Sequence, residues 1–169
     1  MIQSGSKEQN SSKASLDKDE KRNEAWVETE SSKELTALEK VIVLKTAQIF
    51  SSIPDNILFD LATRTREQTL NQGEILFEAG DSDATMYVVV EGKLKVHHSG
   101  KTLAILSHRA VLGEMAALSS EPRSASITTE EPTHLLALDQ LYLLEVMRYR
   151  PEIGREIIHT LVQRLRSML

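Results

Sequence analysis

The sequence predicts an α+β fold in which an antiparallel β body lies between two groups of helices. Between residues 68 and 138, short apolar or alternating runs recur every eight to twelve residues, divided by turn residues. This spacing is typical of an antiparallel sandwich or barrel. Helical periodicity of the apolar residues begins near residue 35 and returns after residue 138.

The first segment differs in composition from everything that follows. Residues 1–34 are rich in Ser, Lys, Glu and Asp and carry few aliphatic residues, so they cannot bury enough apolar surface to offset the entropy of ordering. We expect a disordered polar tail. The alternative is a docking arm anchored by Trp26 and Val27. The folded domain is then expected to span residues 35–169.

Two helices are predicted before the β body. Apolar residues at helical spacing form one stripe: Leu35, Leu38, Ile42 and Ile49. Pro54 is expected to open a second, short helix, with the hydroxyls of Ser51 and Ser52 offered as caps. Its inward-facing residues are expected to be Ile57, Leu58 and Leu61.

Six runs are the candidate strands of the central region. They are Glu74–Glu78, Met86–Glu91, Leu94–His98, Leu103–Leu106, Ser124–Thr128 and His134–Leu138. In the third run, strict alternation places Leu94, Val96 and His98 on one face. His98 is therefore expected in the interior or at the edge of a pocket.

Two helices are predicted at the C-terminal end. Asp139 is a candidate N-cap for a helix whose stripe is Leu141, Leu144 and Met147. Pro151 stands at a first helical position, and the apolar residues that follow it at intervals of four are Ile153, Ile157, Leu161 and Leu165. Arg164 and Arg166 are interpreted as solvated charges that complement the end of this helix; they would contact a purine or a partner only if the helix folds back.

The segment 112–126, Leu-Gly-Glu-Met-Ala-Ala-Leu-Ser-Ser-Glu-Pro-Arg-Ser-Ala-Ser, fits neither pattern. Gly113 permits a positive φ or a close backbone approach. Residues 114–117 favour one helical turn, whose first amides lack partners and attract an anion. The small Ala116 and Ala117 leave room for a ligand beside the backbone.

Arg123 would complete an anion site at this turn. A guanidinium offers a fork of donors that matches phosphate oxygens, and the Ser124 hydroxyl can add a hydrogen bond. The Glu114 carboxylate would repel a phosphate, so a sugar hydroxyl is its plausible partner. These groups together suit a sugar phosphate.

This segment resembles the phosphate-binding cassette of the cyclic-nucleotide-binding domain family, which includes bacterial catabolite activator proteins and the regulatory subunits of cyclic-AMP-dependent protein kinase. Upstream motifs agree in order: the strand start at Gly73-Glu74, then Glu78-Ala79-Gly80-Asp81, then Tyr87-Val88-Val89-Val90-Glu91-Gly92. The similarity covers residues 35–169. It implies an antiparallel β-roll, a jelly-roll-like double-stranded β-helix, flanked by N-terminal and C-terminal helices. Met115 stands where a branched aliphatic residue is usual.

The resemblance also implies the ligand and the roles of individual residues. The ligand would be cAMP or cGMP, between which the sequence does not choose. Arg123 and amides near Ala116 and Ala117 would hold the cyclic phosphate, and Glu114 would accept from the ribose 2′-hydroxyl. Ser124 would contact the phosphate or, in some members, the base. The last helix would lie over the purine and move when the pocket fills. The implied ligand-binding residues are Gly113, Glu114, Met115, Ala116, Ala117, Arg123, Ser124 and Ala125.

Composition and motifs restrict the remaining functional classes. The chain has no cysteine, which excludes disulfides and thiolate metal sites and fits a reducing cytoplasm. We find no catalytic constellation, and the five histidines lack ligand spacing, so neither an enzyme nor a metal or cofactor is expected. No signal peptide or membrane span is found, which predicts a cytoplasmic protein without membrane contact.

The expected partners follow from the same features. A net charge of −5, and no room for a helix-turn-helix if the chain is complete, argue against direct DNA binding. An effector protein acting in trans is expected, and a homodimer through the last helix is left open. The alternative function is a ligand-free domain of this fold that serves as a protein-interaction scaffold.

Overall fold

The computed structural model describes residues 34–167 and residue 169. The predicted tail, residues 1–34, lies outside the described residues except for Glu34, so its disorder stays a prediction. The helices in chain order are α1 Ala37–Thr46, α2 Asp55–Ala62, α3 Glu114–Ser119, α4 Gln140–Tyr149 and α5 Pro151–Ser167, with a 3-10 turn at Gln48–Phe50. The strands are β1 Arg66–Leu70, β2 Ile75–Phe77, β3 Met86–Glu91, β4 Leu94–His98, β5 Lys101–Leu106, β6 Val111–Leu112, β7 Ser126–Thr129 and β8 Thr133–Leu138.

The strands form two four-stranded sheets with orders β1-β8-β3-β6 and β2-β7-β4-β5. Every neighbouring pair is antiparallel. Side chains from both sheets, among them Tyr87 and Leu135 of the first and Leu94 and Ile127 of the second, pack into one buried cluster. The predicted fold class, an α+β domain with an antiparallel β-roll flanked by helices, is confirmed.

The first sheet has a second buried face. Met86, Val88, Leu136 and Leu138 pack against a cluster supplied by the helices. Because side chains alternate along β3 and β8, the same two strands wall the interior of the roll on one side and carry the helices on the other. This sheet therefore lies between the interior of the roll and the helical layer.

Of the eight strands within residues 34–167, two were not predicted. β1 reads Arg-Glu-Gln-Thr-Leu and is an edge strand that pairs with β8, so four of its five residues are polar. β6 has two residues and pairs with β3 through Tyr87–Leu112 and Val88–Val111. Neither strand shows the apolar alternation on which the sequence-based prediction depends.

The helices lie where they were predicted, but two of the predicted apolar faces are only partly right. Ile49 is buried, and Leu35 and Met147 pack against the helical cluster, whereas other members of the two stripes are exposed. In α1, Leu38 and Ile42 are 68% and 64% exposed, whereas Val41 and Leu44 are buried. Similarly, Leu141 of α4 is exposed, and the buried residue is Leu143, two positions further along the helix. In both helices a second apolar stripe lies beside the predicted one, and tertiary packing selects between them.

At the starts of α2 and α4, the predicted positions are right but the predicted capping hydrogen bonds are absent. Asp139 is the N-cap of α4, as predicted, but its carboxylate does not cap the helix and instead accepts from Arg66 and Thr85. The predicted cap of α2 is wrong, because Ser51 Oγ donates to the carbonyl of Gln48. The buried residues of α2 are as predicted: Ile57, Leu58 and Leu61.

The last helix begins at Pro151, as predicted. Ile153 and Ile157 are buried, whereas Leu165 near its end is exposed. In β4 the predicted alternation fails after Val96, where the pairing with β5 shifts register. The expectation of an interior His98 is wrong, because this residue is exposed.

In the described part of the chain, no helix is long and apolar enough to cross a membrane.

Candidate ligand-binding site

A cavity of about 370 Å³ opens inside the roll. Its apolar walls come from strands of both sheets and include Phe77, Val96, Leu106, Val111, Leu112 and Ile127. Polar residues line the same space: Glu114, Glu121, Arg123, Ser124 and Arg164. The volume lies within the range of roughly 300–1,000 Å³ that is usual for small-molecule sites, and a mostly apolar wall with a few converging polar groups is their usual construction.

Gly113 joins β6 to α3 and is required there for two reasons. Its φ is 76°, in the left-handed region that residues with a Cβ seldom adopt. A Cβ on Gly113 would also lie 2.7 Å from the carbonyl oxygen of Thr85 and would overlap the guanidinium of Arg123. The close approach predicted at Gly113 is therefore the contact between its backbone and the guanidinium of Arg123.

The predicted helical turn after Gly113 is α3, which is six residues long. Its first amides have no acceptor within the helix, as at every helix start. The amide of Ala117, by contrast, donates to Gly113 O at 3.0 Å. The Ala117 side chain is fully buried in the helical cluster.

Arg123 is held in place by its backbone. Its amide donates to Asp81 O and its carbonyl accepts from the amide of Gly80, both at 2.8 Å. The Gly80–Asp81 motif therefore aligns the chain on either side of the guanidinium. This contact explains in physical terms why the motif accompanies the arginine.

The guanidinium of Arg123 is buried, with only 1% of the side chain exposed. Its Nη2 donates to Asp83 Oδ2 and, at 2.7 Å, to Thr85 O. Its Cζ lies 3.9 Å from the centroid of the Phe77 ring, where a cation–π contact adds attraction. These partners orient the group but do not use all of its donors.

The remaining donors of Arg123 are the feature of the site that most needs explanation. The buried Nε has no hydrogen-bond partner among the described residues, and Nη1 has one long contact, 3.5 Å to Gly113 O. An unsatisfied buried donor costs about 1–3 kcal/mol. A ligand with acceptor oxygens in the cavity would satisfy these groups.

The Arg123–Asp83 pair changes the acidity of neighbouring groups. Burial by itself raises the pKa of the Asp83 carboxyl, but hydrogen bonds from Arg123 and Thr85 outweigh it and hold that pKa below its usual value. Burial, reinforced by the Asp83 charge, raises the pKa of the Tyr87 hydroxyl. Asp83 is therefore a carboxylate that neutralises Arg123, and Tyr87 stays protonated at neutral pH.

Glu114 and Arg164 meet at the cavity from opposite parts of the chain. Arg164 Nη1 lies 3.7 Å from Glu114 Oε1, and Arg164 Nε donates to Gln48 Oε1 at 3.0 Å. The prediction that Arg164 is a solvated charge at the helix end is wrong, because it lines the cavity. Through it, α5 contacts the segment that begins α3.

Seven of the eight predicted ligand-binding residues line the cavity: Gly113, Glu114, Met115, Ala116, Arg123, Ser124 and Ala125. Ala117 does not. Sequence reasoning missed Asp83 and Thr85, and it placed Arg164 near a ligand only on the condition that the last helix folds back. Asp83 follows the Gly80–Asp81 motif by two residues, which was the available signal. Arg164 is 41 positions from Arg123, and no local pattern connects them.

Among the described residues, no group of three or more acidic or histidine side chains could hold a metal ion.

A β-roll of two antiparallel sheets with a buried arginine at an apolar cavity, beside a glycine-initiated helical turn, defines a small-ligand-binding domain. The chain belongs to the cyclic nucleotide-binding domain family, whose model matches residues 67–150. The predicted family is confirmed.

Individual relatives extend the match beyond those residues. The cyclic AMP receptor protein of Thermus thermophilus is 36% identical over 101 residues, which are 57% of this chain and 47% of that protein. The crystal structure of the N-terminal domain of a transcriptional regulator from Streptomyces coelicolor is 30% identical with a TM-score of 0.68, covering 75% of this chain and 92% of that one. The regulatory domain of protein kinase A from Toxoplasma gondii, crystallised with cAMP, shares the fold at 17% identity and a TM-score of 0.66, over 79% of this chain and 50% of that one.

The chain spans 14% to 58% of the length of the first curated relatives that it matches. The family is therefore established for the domain, whereas the activities and partners of those longer proteins belong to their whole chains.

Proposed function

We propose that the domain binds a cyclic nucleotide, cAMP or cGMP, in the roll cavity and that occupancy repositions its C-terminal helices. It then acts as a regulatory module and not as an enzyme. The observation that carries the proposal is the buried guanidinium of Arg123, which lines the cavity beside Glu114 and whose Nε has no hydrogen-bond partner in the part of the chain that the structure describes.

The phosphate end of the ligand fits the Arg123 side. A phosphate oxygen would accept from Nε and Nη1, the two nitrogens that Asp83 and Thr85 leave free or weakly engaged. The hydroxyl of exposed Ser124 and the first amides of α3, near Ala116, would supply further donors. Such charge-assisted bonds in a buried site are the strong ones in proteins.

The sugar and the base fit the remaining walls. Glu114, at the start of α3, would accept from the ribose 2′-hydroxyl. The base would lie against apolar residues, with exposed Met115 and with Ala125 at the rim of the cavity. Arg164 brings α5 to the same space, which supports the expectation that the last helix lies over the base.

Coupling between ligand and helices requires different affinities in the two helix arrangements. A difference of about 100-fold corresponds to about 2.7 kcal/mol, enough to shift a two-state equilibrium substantially. The Arg164–Glu114 pair supports such a coupling, because a ligand that contacts Glu114 alters a contact of α5.

Relatives support the choice of ligand class. The Thermus relative is named for cyclic AMP, and the Toxoplasma neighbour was crystallised with cAMP. Neither excludes cGMP here, so both nucleotides enter the test. An effector in trans, the absence of direct DNA contact and a cytoplasmic location stay predictions from the sequence.

We also propose that the last helix forms a homodimer. Exposed apolar residues recur along α5 at intervals of four and three: Ile158, Val162 and Leu165. This spacing matches the a and d positions of a coiled coil and lies away from the buried Ile153 and Ile157. A second copy of the helix would cover the stripe.

The ligand is tested by calorimetric titration of the full chain with cAMP, cGMP and the linear 5′-AMP. Binding at micromolar or tighter affinity is expected for at least one cyclic nucleotide. Arg123→Ala is expected to weaken it at least 100-fold, or about 2.7 kcal/mol. Arg123→Lys, which keeps the charge but not the fork, is expected to recover only part of the loss.

Arg148→Ala is the matched control, because Arg148 is exposed on α4 and does not line the cavity. Circular dichroism checks that each variant is folded. Absence of binding by folded protein free of copurified nucleotide would overturn the proposal and favour the scaffold function. Equal affinity of the wild type and Arg123→Ala would show that the ligand binds elsewhere.

The dimer is tested by sedimentation equilibrium across a range of concentrations. Val162→Ser combined with Leu165→Ser is expected to shift the protein to the monomer. Leu38→Ser with Ile42→Ser, two exposed apolar residues on α1, is the matched control and is expected to leave association unchanged. A monomeric wild type at all concentrations would refute the dimer.

A further inference from the structure

The short helix α3 is held at both ends by different parts of the molecule. At its start, Gly113 accepts a long hydrogen bond from Arg123 and lines the cavity. At its end, the chain turns through Ser120, whose φ is 58° and whose amide donates to Ala116 O at 2.9 Å. The last carbonyls of any helix lack intrahelical donors and need partners from outside.

Gln140, the first residue of α4, supplies those donors. Its Nε2 donates to Ala117 O at 3.0 Å and to Ser120 Oγ at 2.7 Å, with Ala116 O at 3.5 Å. A carboxamide nitrogen carries two hydrogens, so it can make both of the shorter bonds at once. The half-buried Gln140 thus clamps the end of α3 across more than twenty residues of chain.

The residue before Gln140 attaches α4 to the roll instead. Asp139 Oδ1 accepts from Arg66 Nη2 at 2.8 Å and from Thr85 Oγ1 at 3.3 Å. Thr85 also provides the carbonyl that holds Arg123. The start of α4 therefore has one attachment to the roll and a separate one to α3.

Beyond its start, α4 is packed onto the last helix. Leu143 of α4 and Ile153 and Ile157 of α5 belong to the same buried cluster. Met147 packs against Gly154, where an added Cβ would lie 3.1 Å from Met147 Cε. A displacement at the first turn of α4 is therefore transmitted to α5 through close packing.

We propose that Gln140 is the positioning residue that transmits the position of α3 to the C-terminal helices. The inference rests on the proposed function, because it assigns the route by which an occupied cavity acts on those helices. When a nucleotide draws the start of α3 toward Arg123, the donors of Gln140 keep α4 attached to its end. Without these hydrogen bonds, α3 adjusts to the ligand and α4 stays with Asp139 and the roll.

The test measures nucleotide affinity and helix position separately in the full chain. Because the chain has no cysteine, spin labels can be placed at Lys101→Cys on β5 and Arg155→Cys on α5, both exposed and outside the cavity. Electron–electron double resonance then gives the distance from roll to last helix, with excess unlabelled protein to suppress contacts between copies. Calorimetry with cAMP and cGMP gives the affinity.

Gln140→Glu is the informative substitution, because it keeps the size of the side chain but cannot donate to Ala117 O. The wild-type distance is expected to shift at saturating nucleotide. In Gln140→Glu at least half of this shift should be lost, while affinity changes less than tenfold. Gln140→Lys, which restores a donor, should recover most of the shift. Gln72→Glu, in the exposed turn after β1, controls for the added charge and should behave as the wild type.

The outcomes separate the two proposals. A full wild-type shift in folded, nucleotide-bound Gln140→Glu would overturn the role of Gln140 and leave the proposed function intact. A wild type that binds neither nucleotide, or binds without any shift, would overturn the proposed function, and the role of Gln140 with it. Failure of Gln140→Lys to recover the shift would show that donation to α3 is not the operative property.

Discussion

The roll and the last two helices bury their apolar residues to different extents. In β3 and β8 nearly every apolar side chain is buried, because one face packs into the roll and the other against the helices. In α4 and α5, by contrast, a buried stripe is accompanied by exposed apolar residues: Leu141, Leu144, Ile158, Val162 and Leu165. The proposed binding site and the helices proposed to respond to it therefore differ in packing. The roll encloses the cavity, whereas the last two helices leave apolar side chains exposed.

The difference between the roll and the last helices is clearest at the cavity, which Arg123 and Arg164 both line. Arg123 is fixed by the backbone of Asp81 and by the side chain of Asp83. Arg164, which reaches the same cavity from α5, has among the described residues an ion pair with Glu114 at 3.7 Å and a hydrogen bond to the side chain of Gln48. Substitutions on the roll side should therefore change stability and binding together, whereas those on the helix side should change binding modestly.

The largest effect is expected from Gly113→Ala. The left-handed φ costs roughly 1–2 kcal/mol, and overlap with Arg123 and Thr85 brings the total to roughly 2–5 kcal/mol of unfolding free energy. Nucleotide binding should be lost, because the guanidinium must move. Urea denaturation and calorimetry measure both quantities. Gly73→Ala is the control, since Gly73 has a φ of 82° but open space around it. Equal losses in the two variants would show that contact with Arg123 is unimportant.

Asp83→Asn should have the next largest effect. It removes the charge that neutralises buried Arg123, and breaking a fully buried pair typically costs 3–5 kcal/mol. Because the Asp83 side chain is 44% exposed, we expect a smaller loss of about 1–3 kcal/mol in urea denaturation without nucleotide. A bound phosphate then replaces part of the lost charge, so nucleotide should stabilise this variant more than the wild type. An unchanged unfolding free energy would contradict the assigned pairing.

Acid should remove the contribution of Asp83 in a defined pH window. The folded pKa of Asp83 lies below its ordinary value of 3.8, so its stabilising contribution is complete well above pH 3.8. It is lost as the pH falls through 3.8 toward the folded pKa. The difference in unfolding free energy between the wild type and Asp83→Asn should therefore be constant from pH 7 to 5 and shrink toward pH 3. A difference that grows on acidification would reverse the predicted sign.

Arg164→Ala should have the smallest effect. It leaves Glu114 without its positive partner at a cavity proposed to hold an anion, so nucleotide affinity should fall by about two- to tenfold. The pair is partly exposed, so raised salt should reduce the difference. Calorimetry at two salt concentrations measures it, with Arg166→Ala on the same helix as control. A loss as large as that of Arg123→Ala would place a principal phosphate contact on the helix.

The sequence predicted the roll well because its signals are local. Alternating runs located six strands, and the 112–126 segment identified the cassette and seven of the residues that line the cavity. Prediction from the sequence failed for features that depend on packing between residues far apart in the chain. Leu38 and Ile42 form as good a stripe as Val41 and Leu44, and only contact with α2 and the roll distinguishes them. Likewise, no local pattern shows that Arg164 and Gln140 return to α3.

The most direct test of the division between binding and response is a pair of ¹H–¹⁵N NMR spectra of the full chain, without nucleotide and at saturating cAMP or cGMP. Amide shifts are expected at Gly113, Ala116 and Arg123 in the cavity and at Arg164 on α5, with little change at Gly73 in the turn after β1. Perturbation confined to the cavity would leave binding intact but contradict the response of the helices. Perturbation that spares the cavity would contradict the proposed site itself.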